Sequence, residues 1–234
     1  MVDLTNSQIK KAGDILRRHR EGTRRGTPQE LLHAYEVLER FRRQWSEPPQ
    51  VLSATVMGLR SMARTLGLPS QVSQRLKRTD RIVQKLVRKK TRLNTLQDIA
   101  GCRAVVESLR DQEALVDRLV RNWAPDIDLG PQNPRNYVRS PRPTGYRAIH
   151  IVVKKNGLPV EVQVRTRRQH DWAMMVEKLE DRTGDLLKDN QGDSEVLSSL
   201  RELSHVFAEF DAGKRLDSRG IDRVHALLGR LGLT

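Results

Sequence analysis

The dipeptide Asn156-Gly157 constrains this chain more than any other feature. Both residues tolerate positive φ, as a two-residue hairpin turn requires, and the flanking residues alternate between apolar and polar. With these two as the loop, Lys155 faces Leu158, Val153 faces Val160 and Val152 faces Glu161; His150 then faces Gln163 and Ala148 faces Arg165. Side chains sort with a period of two. Ile149, Ile151, Val153, Val160, Val162 and Val164 share a face suited to a core, and His150, Glu161, Gln163 and Arg165 share the other. That second face is either a solvated outer surface or a site. An imidazole, a carboxylate, an amide and a guanidinium within two rungs can bind a metal–phosphate and orient a hydroxyl.

The strands of this hairpin, over 147–154 and 158–166, need sheet partners. The apolar run Cys102–Val106 supplies one. Helices are expected over 71–89, over 111–121 and from about Arg167. The segment 125–143, rich in Pro, Asn, Gly and Arg, reads as a mobile loop with one short strand. Residues 1–70 read as a helical N-terminal extension: Leu31, Ala34, Tyr35, Leu38 and Phe41 fall at helical spacing, Pro48-Pro49 ends that unit, and a second helix runs from Val51 to Leu66 before Gly67 and Pro69. Residues 71–183 form the mixed core. Residues 184–234 form a helical C-terminal extension, broken near Asp189–Gly192 and at Gly213. The fold class is therefore α/β (α+β), a mixed sheet flanked by helices.

Composition narrows the partners. Of 234 residues, 43 are Lys or Arg and 29 are Asp or Glu, a net charge of +14. This balance either attracts polyanions such as nucleotides and RNA or is a generally basic, solvated surface. No apolar run approaches the ~20 residues that span a bilayer, and the first 20 residues lack a signal-peptide core, so a soluble, cytoplasmic protein is expected, with no membrane partner. The single cysteine, Cys102, sits in an apolar run and reads as a small buried hydrophobe. No Cys/His set has zinc spacing.

Two further features bear on chemistry. Asp98 precedes the Cys102–Val106 strand, with Gly101 allowing close backbone approach. It is a cap or turn residue, or, if paired in space with Glu161, a hard-oxygen ligand for Mg²⁺. The segment 75–90 carries Arg75, Lys77, Arg78, Arg81, Lys85, Arg88, Lys89 and Lys90. On a helix, Arg78, Arg81 and Lys85 share a side that is either a solvated basic face or a triphosphate cradle. No glycine-rich GxxxxGK[ST] loop is present.

Four blocks in order carry a resemblance: Arg75-Leu76-Lys77 with Lys85-Leu86, Asp98-Ile99-Ala100-Gly101-Cys102-Arg103, Gly145-Tyr146-Arg147-Ala148-Ile149-His150, and Glu161-Val162-Gln163-Val164-Arg165-Thr166. Over about residues 50–183 the chain resembles the RelA/SpoT synthetase domain, specifically the short stand-alone alarmone synthetases. The resemblance implies a nucleotidyltransferase-like mixed β-sheet flanked by helices. It also implies transfer of the β,γ-diphosphate of ATP to the 3′-hydroxyl of a purine nucleotide, with Mg²⁺ as cofactor. By the same resemblance Asp98 and Glu161 are the catalytic and metal-holding pair, with Glu161 helping to deprotonate the attacking hydroxyl. Arg75 and Arg103 sandwich the adenine of ATP, and Lys77 and Lys85 hold its phosphates. Tyr146 stacks on the acceptor base, and His150, Gln163, Arg142 and His170 complete the acceptor side.

Several positions depart from the housekeeping pattern. Asn136-Tyr137 stands where the family often has Asp-Tyr, and Arg142 where it has Lys. The run Gln169-His170-Asp171-Trp172-Ala173 with Val176-Glu177 resembles the toxic and phage-defence branch, whose members modify adenine nucleotides or the 3′ end of tRNA. Three functions follow as alternatives: nucleotide alarmone synthesis in a growth-inhibiting or phage-defence role, pyrophosphorylation of the tRNA 3′-CCA end, and an inactive RNA- or partner-binding module. An antitoxin protein is a possible partner under the first two. There is no room for the hydrolase domain of the long relatives, so synthetase activity alone is expected. No sequence signal fixes an oligomeric state.

Overall fold

The computed structural model describes residues 4–23, 26–47, 50–127, 133–215 and 217–233. Arg24, Arg25, the break at Pro48-Pro49 and residues 128–132 of the expected loop lie outside these. Helices α1 (Asn6–Arg20), α2 (Pro28–Arg43) and α3 (Val51–Thr65) come first. Strand β1 (Ser70–Leu76), helix α4 (Thr79–Lys89), strand β2 (Ala100–Val106) and helix α5 (Leu109–Asn122) follow. Strands β3 (Arg135–Asn136), β4 (Ile149–Lys155) and β5 (Leu158–Thr166) lead into helices α6 (Arg167–Thr183), α7 (Ser194–Asp211) and α8 (Ser218–Arg230). The strands form one mixed sheet in the order β1-β2-β5-β4-β3. β3 pairs antiparallel with β4, Arg135 opposite His150 and Asn136 opposite Ile149.

The hairpin forms at the expected turn: Asn156 and Gly157 have φ of 51° and 77°. On β5, Val160, Val162 and Val164 are buried and alternate with half-buried Glu161 and Gln163. The polar face is not a solvated surface, because His150 is 7% and Arg165 5% exposed.

One expectation fails. The single helix over 71–89 is instead β1 followed by α4. Val72 and Leu76 fit a helical spacing and a strand spacing equally well, so sheet pairing decides. The backbone N–H of Lys77, just past β1, donates to the Ile99 carbonyl at 2.8 Å. The backbone stays extended through Arg78, at φ −65° and ψ 147°, before α4 begins. Arg78 therefore does not share a helical face with Arg81 and Lys85.

By contact the chain falls into two compact units. The first comprises Met1–Gly58, Ser73–Cys102 and Val152–Val162. Within it α1 packs on α2 and α4. Ile9, Ala12 and Leu16 of α1, Ala34 and Leu38 of α2, and Ile82 and Leu86 of α4 are all buried. Thr5 with Gln8 and Thr27 with Glu30 form capping boxes that fix where α1 and α2 start. The Trp45 indole donates to the Pro159 carbonyl at 2.7 Å.

The second unit comprises Leu59–Val72, Arg103–Ile151 and Gln163–Thr234. Its core joins Tyr146, Ala148, Trp172 and Val176 to Leu200 and Leu203 of α7 and Leu227 of α8. The breaks expected in the C-terminal segment are present: Asn190, Gly192 and Gly213 take positive φ, and α7 lies between them.

Candidate active site

Asp98 leads into β2 with its side chain 19% exposed. Its Oδ2 accepts from Lys77 Nζ at 2.7 Å and from Lys85 Nζ at 2.5 Å. The extended chain after β1 delivers Lys77, and α4 delivers Lys85 from its buried Ile82–Val83–Leu86 stripe. Burial alone would raise the Asp98 pKa, but the two ammonium groups outweigh it and hold the carboxyl below its usual range. The Lys77 ammonium is lowered, chiefly by burial and further by Lys85 and Arg75, against the pull of Asp98. One carboxylate facing two lysines leaves net positive charge, as an anion site needs.

Glu161 lies in the same unit, half-buried on β5. A Cβ at Gly101 would come within 3.0 Å of the Glu161 carbonyl oxygen, so glycine allows β2 and β5 to approach closely there. The Cys102 thiol, 2% exposed, is pushed up to about 12 by burial and by the Glu161 charge, which marks it as a buried hydrophobe and not a nucleophile.

The fit of a divalent cation rests on one observation. Asp98 Oδ1 is buried without a hydrogen-bond partner, while Oδ2 takes both lysines. A hard cation is a chemically suitable partner for such an oxygen. Among the described residues no group of three or more His, Cys, Asp or Glu side chains is placed to hold a metal.

In the second unit the expected acceptor-side residues meet around Tyr146. Its hydroxyl accepts from Arg165 Nη2 at 2.9 Å and lies 2.6 Å from His150 Nε2. Arg165 Nη2 also donates to Gln163 Oε1 at 2.7 Å. Since the guanidinium can only donate, the Tyr146 proton is left to satisfy His150 Nε2. The Tyr146 ring is 8% exposed and packs against Tyr137, His150 and Trp172. Arg142 lies over the Tyr137 ring at 4.7 Å and donates to its hydroxyl at 3.0 Å. Tyr146, His150, Gln163 and Arg142 thus share one cluster, with Arg165 at its centre.

His170 is placed elsewhere. Its Nδ1 lies 3.2 Å from Arg103 Nη1, so it joins an arginine expected on the ATP side. Arg75 is exposed on β1.

Three supporting residues escape sequence reasoning. Asp211, at the end of α7 with a side chain only 3% exposed, accepts from Thr166 Oγ1 at 2.7 Å. Thr166 caps α6 with Gln169, and Gln169 exchanges amide bonds with Gln112. Ser204 of α7 donates to the Gly145 carbonyl, and a Cβ at Gly145 would come within 2.7 Å of the Ser204 Cβ. These partners lie 45 to 59 residues apart, so no local pattern announces them.

Residues 74–180 match the family model described as the region found in RelA / SpoT proteins. GTP pyrophosphokinase of Haemophilus influenzae is 32% identical over 96 residues, which are 39% of this chain and 12% of that protein. GTP pyrophosphokinase of Escherichia coli K12 is 31% identical over 119 residues, 49% of this chain and 15% of that one. The chain therefore spans less than a sixth of the length of these relatives. Small alarmone synthetase 1 from Bacillus subtilis, solved with its product pppGpp, superposes with a TM-score of 0.63 at 21% identity, covering 75% of this chain and 94% of that one. The fold is thus that of the small alarmone synthetases. The matched stretch contains every site residue named from sequence, from Arg75 to His170, whereas Ser204 and Asp211 fall outside it.

Proposed function

We propose that the chain is an ATP-dependent pyrophosphokinase. It moves the β,γ-diphosphate of ATP onto the ribose 3′-hydroxyl of a purine nucleotide. The observation that carries this reading is half-buried Asp98, holding two lysines on one oxygen while its other, buried oxygen has no hydrogen-bond partner. Two ammonium groups on one carboxylate leave one positive charge in excess, which suits a phosphate chain.

In this reading Asp98 and Glu161 hold Mg²⁺, which neutralises charge on the phosphates when bound. Lys77 and Lys85 exchange their shared carboxylate for ATP phosphates. Arg75 and Arg103 hold the adenine. The acceptor 3′-oxygen forms a bond to the β-phosphorus, the bond from that phosphorus to the α,β-bridging oxygen breaks, and AMP leaves. Glu161 takes the hydroxyl proton. Tyr146, His150, Gln163 and Arg142 orient the acceptor, which lowers the barrier through positioning.

A second acceptor, the 3′ end of tRNA, is supported by the net charge of +14 and by exposed Arg18, His19 and Arg20 at the end of α1. Under either acceptor the cellular effect is growth inhibition, which an antitoxin would counter. Incubation with γ-labelled ATP and, separately, GDP, ADP or bulk tRNA tests the reading. Label in one acceptor supports it, and label confined to ATP and inorganic phosphate contradicts it.

A further inference from the structure

We propose that His170 is a positioning residue for Arg103, accepting a hydrogen bond through Nδ1 and fixing the guanidinium plane that Arg103 presents to the adenine of ATP. The inference rests on the pyrophosphokinase reading only for the adenine contact. Arg103 is half-buried on β2, and His170 stands in the first turns of α6. Arg103 Nη1 lies 3.2 Å from His170 Nδ1 and 3.7 Å from Met174 Sδ, four residues further along the same helix face. One helix face therefore holds one end of the guanidinium through two acceptors.

The chemistry fixes the state of the histidine. Arginine offers donors only and keeps its charge, so Nδ1 must carry its lone pair and the proton must sit on Nε2. The surroundings favour that neutral form. Burial acts first, then the guanidiniums of Arg103 on β2 and Arg165 on β5, and together they lower the His170 pKa against Asp171 and Glu177 on α6. His170 thus remains an acceptor at neutral pH. A guanidinium already held in one plane loses little rotamer freedom when a base stacks on it, so binding is tighter than for an untethered arginine.

The test compares His170→Ala, His170→Asn and His170→Gln in the full chain. The Asn side-chain carbonyl can occupy the place of Nδ1, whereas that of Gln reaches the place of Nε2. The Ala and Gln variants should raise the KM for ATP about fivefold to tenfold, the net worth of one ordinary hydrogen bond. Their kcat and acceptor KM should stay within about twofold, and Asn should recover most of the loss. Calorimetric titration with α,β-methylene ATP should give the same order without any transfer, and ¹⁵N NMR should show Nδ1 unprotonated at pH 7. A rise in acceptor KM with ATP KM unchanged would overturn the proposal and move His170 to the acceptor side. An equal loss in all three variants with a lower melting temperature would overturn it in favour of packing. If the analogue binds in the expected order but no acceptor gains label, the inference holds and the pyrophosphokinase reading fails. If the analogue does not bind at all, both fail.

Discussion

In the proposed reaction Asp98 does two things: it keeps two lysines in place before substrate arrives and supplies an oxygen to the chemistry afterwards. Its substitution should separate these. Asp98→Asn keeps the shape but removes the charge that holds Lys77 and Lys85. Transfer should fall at least about 100-fold, ~2.7 kcal/mol of barrier. Stability should fall by about 1.5–3 kcal/mol, the worth of hydrogen bonds to a charged group, as read by urea denaturation. The pH dependence has a definite sign. The folded pKa of Asp98 is lowered, so its contribution is present above the unfolded value and is lost as pH falls through the folded value. The stability gap between wild type and Asp98→Asn should narrow as the solution is acidified; a gap that is unchanged or widens in acid would contradict the assignment. Tyr146 separates in another way. Tyr146→Phe keeps the ring but removes the hydroxyl between Arg165 and His150. It should cost about 1–3 kcal/mol of stability because a buried donor loses its acceptor. Tyr146→Ala should in addition weaken acceptor use by about 1–3 kcal/mol, the usual worth of base stacking. An unchanged acceptor KM in the Ala variant would show that the ring is purely structural.

At the scale of elements, legibility followed the range of the forces involved. The hairpin was readable because its turn and its alternation are local, and α6 because Thr166 and Gln169 cap it three residues apart. β1 was not readable as a strand because Val72 and Leu76 satisfy both periods and its pairing lies outside the local sequence. The types of the site residues were legible, and so was the face shared by His150, Gln163 and Arg165; the contacts of His170 with Arg103 and of Arg165 with Tyr146 were not, because they join residues 67 and 19 apart. The Asp211–Thr166 contact was hidden for the same reason, and it yields a prediction about α6. Burial raises the Asp211 pKa, against hydrogen bonds from Thr166 and Arg168. A raised acid favours the fold below its unfolded pKa, and that contribution is lost as pH rises through the folded value. Asp211→Asn, which can still accept from Thr166, should therefore be neutral or stabilising at pH 8 and lose that advantage towards pH 4. Thr166→Val, which removes both the cap and the Asp211 bond, should cost about 1–2 kcal/mol. Thermal melts of the two variants across this range check both, and destabilisation by Asp211→Asn at pH 8 would contradict the desolvation argument.

At the scale of the whole molecule, no described helix is long and apolar enough to cross a membrane, and the charge of +14 is the dominant global property. Arg17 is tied to Glu21 at 3.0 Å, so the exposed arginines at the C-terminal end of α1 are Arg18 and Arg20, with His19 between them. Replacing Arg18 and Arg20 by Ser should weaken tRNA binding and flatten its salt dependence by about two units of slope at most, through fewer released counterions. Transfer to a free nucleotide should be nearly unchanged. Equal loss on both acceptors would make this end of α1 a support of the fold.

The central claim concerns which bond of ATP breaks, and the adenine product reports it directly. In a reaction of purified protein with ATP and whichever acceptor gains label, AMP and ADP are counted against modified acceptor by chromatography. Pyrophosphoryl transfer predicts one AMP per acceptor modified and no stoichiometric ADP, with both products lost in Glu161→Gln. ADP released one for one with the acceptor, or AMP release that survives Glu161→Gln at the wild-type rate, would contradict it.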